Sequence, residues 1–164
     1  MTKSEADLLT FLGDLDDPEW LEWPQGYNRS QTAARFGDLV ARLEGDFTAR
    51  CTAERDIQDS SEYGRVIVPA EATMCGTRIV VCVSKFGSLA LVCAENPGAF
   101  LGTEAAQAEG ELHATDLANV NRTLADLGYV VFPEELLEHD YDGPSQLPSH
   151  VQRPSWWHRF FGTF

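Results

Sequence analysis

The chain is short of basic residues and has no long apolar stretch. Its 164 residues include 12 Lys and Arg against 26 Asp and Glu, which gives a formal net charge of -14 at pH 7. Such an excess of carboxylates repels nucleic acid, so we expect no nucleic-acid partner. No stretch approaches the roughly 20 apolar residues that span a bilayer, and we expect no membrane partner either.

The chain has few cysteines, and no two of them stand at a metal-binding spacing. The four cysteines stand at positions 51, 75, 82 and 93, and none belongs to a CxxC pair. The spacing predicts no zinc site, and we expect no metal and no cofactor. Cys51, Cys82 and Cys93 lie in apolar, strand-like runs and are interpreted as small buried side chains. The N-terminus carries acids where a signal peptide has basic residues, so we expect a reducing, cytoplasmic location.

Common enzyme signatures are missing from the sequence. It contains no GxSxG, P-loop, GxGxxG or HExxH motif. His139, between Glu138 and Asp140, offers one face of a metal site, but such a site needs three or four convergent ligands. We interpret this histidine as a solvated side chain among acids. The sequence predicts a protein that is not an enzyme, with a dispersed active site left open as an alternative.

The hydrophobic periodicity predicts an α+β fold, with a mainly antiparallel sheet of four to five strands and two principal helices packed on it. The helices are expected at 30–44, ending at Gly45, and at 115–127, after a cap at Thr115 and before Gly128. Shorter helices are expected at 4–12, ending at Gly13, and at 104–110. Strands are expected at 47–54, 63–68, 77–83, 89–93 and 129–132.

We expect residues 1–164 to form a single α+β domain. An acidic, aromatic segment at 1–28 precedes the main helices, and an aromatic tail at 143–164 docks on the domain. The aromatic side chains of this tail either complete the core or form an exposed anchor, and Arg159 among them points away or stacks on an indole. These aromatic residues are Trp156, Trp157, Phe160 and Phe161.

Two acidic clusters are the candidate partner-binding residues. Each has an alternative interpretation as a solvated loop or helix face. In the first cluster carboxylates flank two tryptophans, the residue type most enriched in interface hot spots, and carboxylates at a rim steer basic partners. The candidates from the first cluster are Asp14, Asp16, Asp17, Glu19, Trp20 and Trp23, and those from the second are Glu134, Glu135, Glu138 and Asp140.

The last third of the chain also carries a recognisable pattern. A helix and strand end in Phe132-Pro133, a Tyr141-Asp142-Gly143 turn follows, and the chain closes with Trp156-Trp157-His158-Arg159-Phe160-Phe161. This pattern resembles small uncharacterised bacterial proteins, some of which are similar to immunity proteins of polymorphic-toxin systems. The resemblance implies a non-enzymatic inhibitor that occludes the active site of a partner, and it brings no catalytic residues.

The leading hypothesis is therefore a cytosolic protein-binding protein of immunity or antitoxin type, which occludes a basic site of its protein partner. Charge would speed the encounter, and buried aromatic side chains would set the dissociation rate. A secretion-type chaperone or a small dimeric adaptor is the alternative, and an enzyme with a dispersed site is the third class. A monomer and a homodimer are both compatible with the sequence.

Overall fold

The computed structural model of the chain describes residues 4–147 and 153–163. Within them a five-stranded sheet has the strand order β1-β2-β3-β4-β5, antiparallel except for the parallel pair β4–β5. The α+β prediction is thus confirmed. The strands are β1 (Thr52–Arg55), β2 (Glu62–Val68), β3 (Ile79–Ser84), β4 (Leu89–Ala94) and β5 (Val130–Val131), and the helices are α1 (Glu5–Leu15), α2 (Arg29–Phe47), α3 (Thr103–Ala108), α4 (Ala114–Asp126), α5 (Glu134–Leu137) and α6 (Trp156–Phe161).

Helices cover both faces of the sheet, which explains why the central strands are apolar on both faces. Alternate residues of a strand point to opposite faces, so β3 sends Val81 to one core and Cys82 to the other. The first core, core A, lies between the sheet and helices α2, α3 and α4. The second, core B, lies between the sheet and helices α1, α5 and α6.

Helix α2 runs further than its periodicity predicts. The sequence predicts an end at Gly45 and a strand from position 47, but the helix continues to Phe47 and ends at Thr48, whose φ is 50°. Phe47 packs against core A from the helix, and an apolar residue at that position fits either element. The predicted strand at 47–54 is wrong in its first half, because regular pairing begins only at Thr52.

The other element boundaries need smaller corrections. Helix α1 does not end at Gly13 but continues to Leu15, because the glycine there is helical and exposed. The cap of α4 is the ring of His113, which accepts a hydrogen bond from the Thr115 N–H at 3.1 Å. Pairing of β5 is limited to two residues, fewer than the 129–132 expected. The predicted apolar stripe of α4 faces core A as expected.

The C-terminal helix α6 is tied to the start of β2 and the end of β3. The carbonyl of Gly162 accepts hydrogen bonds from the Ser60 hydroxyl at 2.8 Å and the Ser61 N–H at 2.9 Å. The Ser84 hydroxyl donates to the Phe160 carbonyl at 2.7 Å. These bonds place the helix on core B, where Trp156, Phe160 and Phe161 are buried. Part of the expected tail, positions 148–152 and 164, lies outside the described residues.

No helix in the described part of the chain is long and apolar enough to cross a membrane.

Candidate functional site

Arg159 in α6 fixes the acidic segment that follows α1. Its side chain is fully buried, and its Nε donates to Asp16 Oδ1 at 2.7 Å. The remaining guanidinium N–H groups donate to the carbonyls of Asp17, Trp20 and Leu21 at 2.9–3.2 Å. One charged side chain thus binds several groups of the turn at 16–21 and holds this turn against core B.

The surroundings of Arg159 differ from the expectation that it points away or stacks on an indole. The guanidinium carbon lies 4.7 Å from the ring centre of Phe86 and 5.0 Å from that of Phe160. The cation therefore lies beside two neighbouring phenyl rings, in cation–π range of both. The expectation was wrong, because Arg159 is buried and the rings that it contacts are those of Phe160 and of Phe86 in the distant β3–β4 turn.

The first acidic cluster is divided between surface and interior. Asp14 and Glu19 are exposed and Asp17 is half-buried. The Asp16 side chain is only 1% exposed, and besides Arg159 its carboxylate accepts hydrogen bonds from the Tyr141 hydroxyl and from Ser145 Oγ. Asp16 is therefore a buried internal ligand of this segment rather than a surface carboxylate.

The second acidic cluster is divided in the same way. Glu134 is only 4% exposed; its carboxylate accepts from Cys93 Sγ at 3.1 Å and from the Gly98 N–H at 3.3 Å. Burial raises the pKa of Glu134, since desolvation outweighs these hydrogen bonds. Glu135 is half-buried, whereas Glu138 and Asp140 are exposed.

One residue of each cluster lines a common groove, which we call the acidic groove. It has a volume of about 420 Å³ and lies between the C-terminal half of α1 and the loop after α5. Asp16 lines it from the first cluster and Asp140 from the second, together with Gly13 and Asp142. His139 also lines it, and its Nε2 lies 3.3 Å from Glu5 Oε1.

The tryptophans of the first cluster line a second depression, the aromatic groove. It has a volume of about 390 Å³ and contains Trp20, Trp23 and Tyr27. The rings of Trp23 and Tyr27 stack at 6.2 Å between centres, and Trp23 is still 42% exposed. Two cations border the groove: Arg29, paired with Asp56, and Lys85.

Lys85 was not among the predicted site residues, yet it lines the aromatic groove from the β3–β4 turn. Its side chain is only 4% exposed, and its Nζ donates to the Ile57 carbonyl at 2.8 Å. The Nζ also lies 5.9 Å from the Trp23 ring centre and 3.9 Å from Glu22 Oε1. Burial lowers the pKa of Lys85, an effect that the Glu22 carboxylate partly offsets.

The described residues contain no group of three or more His, Cys, Asp or Glu side chains that converges as metal ligands do. The described cysteines are all free, and three are buried. Burial raises the pKa of the Cys51 thiol to about 11, and burial also raises the pKa values of the Cys82 and Cys93 thiols. These three thiols are protonated at neutral pH and are poor nucleophiles.

No protein-family model, curated protein or solved structure matches the chain. What the site does is therefore argued from its own geometry and charge.

Proposed function

We propose that the chain is a non-enzymatic protein-binding protein that occludes a basic site of its partner, as an immunity or antitoxin-type inhibitor does. The observation that carries the proposal is the acidic groove, where the exposed carboxylates of Asp140 and Asp142 lie beside the turn that Arg159 and Asp16 hold in place. A basic side chain or loop of a partner would complement the negative charge of this groove.

The fixed conformation of the 16–21 turn also supports binding. A surface that is already ordered loses little conformational entropy when a partner docks. Arg159 supplies that order, because it joins Asp16 at the acidic groove to the carbonyl of Trp20 beside the aromatic groove. The exposed indole of Trp23 then offers an apolar contact at the end of the same segment.

As part of this proposal we place the protein in the cytoplasm. The described thiols are all free, including Cys82 and Cys93 on the same face of adjacent strands, and a reducing compartment is the environment in which free cysteines are common.

The experiment begins with capture of a partner by the tagged chain from host lysate and identification by mass spectrometry. Binding of the purified partner is then followed by surface plasmon resonance at low and high salt. The groove variant is Asp140→Asn/Asp142→Asn, and its matched control is Glu104→Gln/Glu109→Gln, which removes equal charge at two exposed positions around α3. We expect the groove variant to lower the association rate severalfold at low salt, with little change in the control.

A separate variant tests the apolar contact. We expect Trp23→Ala to speed dissociation, at a cost in binding free energy of about 2 kcal/mol if this indole is a hot spot.

Equal loss of association in the groove variant and the α3 control would show that only net charge matters. A partner that binds at the same rate at every salt concentration would refute the charge-steered mechanism.

A further inference from the structure

A small polar depression, the inner cleft, continues the aromatic groove toward the sheet. It has a volume of about 230 Å³ and lies between the first turns of α2, the β3–β4 turn and Tyr129. The inner cleft and the aromatic groove are adjacent, because four residues line both of them: Pro24, Gly26, Tyr27 and Lys85.

The charge of the inner cleft is opposite to that of the whole chain. Arg35 and Lys85 line it, and no carboxylate is among the described residues that line it. The 19-residue helix α2 begins here, capped by Asn28 and without an acidic residue in its first turn. The partial positive charge of a helix N-terminus therefore adds to two cations at this place.

A buried hydroxyl without a partner is the second, independent observation. Tyr129 lines the inner cleft and is only 7% exposed, yet its hydroxyl has no hydrogen-bond partner among the described residues. Burial raises the pKa of this phenol, so it stays protonated and able to donate. The Arg35 guanidinium carbon lies 5.5 Å from the ring centre. Buried polar groups are nearly always paired, so an unpaired donor beside Arg35 points to a missing acceptor.

In the described part of the chain, both cations have N–H groups that make no hydrogen bond, and the Glu22 carboxylate lies 3.9 Å from Lys85 Nζ. Lys85 Nζ uses one of its three protons on the Ile57 carbonyl, and Arg35 uses Nη1 on Ser88 Oγ. Tyr27 and Thr32 also line the inner cleft. This number of donors suits a group with three anionic oxygens better than a carboxylate with two.

We propose that the inner cleft binds the phosphate group of a small molecule whose planar ring lies in the aromatic groove. Arg35 and Lys85 neutralise the phosphate. The Tyr129 hydroxyl is closed to solvent in the free chain, and it donates to a phosphate oxygen once the side chains around it move. The ring stacks among Trp20, Trp23 and Tyr27, as bases stack on aromatic platforms. The phosphate end of this site does not depend on the proposed protein partner, because Arg35 and Tyr129 do not line the acidic groove. The aromatic groove is shared, since Trp23 is also the proposed apolar contact of that partner.

The test is isothermal titration calorimetry of the full chain with adenosine 5′-monophosphate, inorganic phosphate and adenosine as probes. We expect the monophosphate to bind more tightly than either fragment. Tyr129→Phe removes only the unpaired hydroxyl and should weaken monophosphate binding about fivefold to tenfold. Arg35→Gln should weaken it about tenfold to a hundredfold, because a charged hydrogen bond is lost. The matched control is Arg42→Gln on the same helix, where the exposed arginine pairs with Asp126 outside the cleft, and it should bind as wild type does.

Three results would overturn the proposal. The first is absence of binding of the monophosphate and of inorganic phosphate to the folded chain. The second is binding that Tyr129→Phe and Arg35→Gln leave unchanged. The third is equal affinity for benzoate and the monophosphate, which would contradict the choice of phosphate. Thermal unfolding of each variant, recorded beforehand, separates loss of binding from loss of the fold.

Discussion

Replacing Arg159 by methionine tests whether this one buried cation holds the turn at 16–21 in place. The substitution keeps an unbranched, apolar side chain beside Phe86 and Phe160 but removes the charge. Among the described residues, it leaves the buried Asp16 carboxylate with the Tyr141 and Ser145 hydroxyls as its donors. It also removes the donor from three backbone carbonyls.

The expected loss follows from what is left unpaired. Hydrogen bonds to charged groups contribute about 1.5–3 kcal/mol each, but burying the guanidinium offsets much of their sum. Removal of one partner of a buried ion pair costs about 3–5 kcal/mol, and we expect Arg159→Met to lower the free energy of unfolding by this amount. Arg42→Met is the control, because its pair with Asp126 is exposed and should contribute about 1 kcal/mol or less.

Urea unfolding measures these losses, and a double-mutant cycle assigns them to the pair. Asp16→Asn alone leaves the Arg159 cation without a carboxylate, whereas Asp16→Asn/Arg159→Met removes both charges. The double variant should therefore lose less than the sum of the single losses, with a coupling of about 1–3 kcal/mol. Hydrogen exchange adds a local measurement: the Trp20 amide, which donates to the Asp17 carbonyl at 3.0 Å, should lose protection in Arg159→Met.

Two results would refute this reasoning. A loss below about 1 kcal/mol for Arg159→Met would mean that the buried pair is no stronger than a surface one. Additive losses in the cycle would mean that Arg159 and Asp16 act independently, and the segment would then be held by its apolar contacts.

Three other predictions concern stability. Burial raises the pKa of Glu134 in the folded state above its unfolded value, so this group's contribution to stability falls as pH rises from the unfolded value toward the folded one. Glu134→Gln should therefore raise the melting temperature more at pH 7.5 than at pH 4, and equal changes would contradict it. Gly64→Ala should destabilise by about 1–3 kcal/mol, because the new Cβ would meet the Glu54 carbonyl oxygen at 2.2 Å; wild-type stability in urea would contradict this clash. Gly37→Ala, in the interior of α2 with nothing within 4 Å of the new Cβ, should stabilise by about 0.5–1 kcal/mol in the same assay, and a loss would show an unseen contact.

The parts of the fold that were predictable carry a periodic signal. Helices α2 and α4 place apolar residues at helical spacing, and those residues face core A. Strands β3 and β4 are apolar throughout, which is typical of strands covered on both faces. The end of α2 was not predictable by this means, because the apolar residue at Phe47 fits both a helical and a strand period.

The contacts that build the site have no local signal. Arg159 and Asp16 are 143 positions apart, and nothing near either residue in the sequence indicates the other. The inner cleft likewise takes Arg35 from a helix, Lys85 from a turn and Tyr129 from the approach to β5. Composition pointed to Trp20, Trp23 and the carboxylates as candidates, but it missed Arg35 and Lys85, because each is a single basic residue with no other basic residue near it in the sequence.

The acidic groove and the aromatic groove are both lined by the same turn of the chain. The turn at 16–21 lines the first through Asp16 and the second through Trp20, and Arg159 binds both ends of it. Backbone carbonyls accept three of the four hydrogen bonds of this cation, so the shape of the turn, rather than any one of its side chains, is what Arg159 fixes. Loosening the turn should therefore disturb both grooves at once. Arg35 and Tyr129 stand on α2 and before β5, outside this turn, so we expect the proposed anion site to be structurally separable from the proposed protein-binding surface.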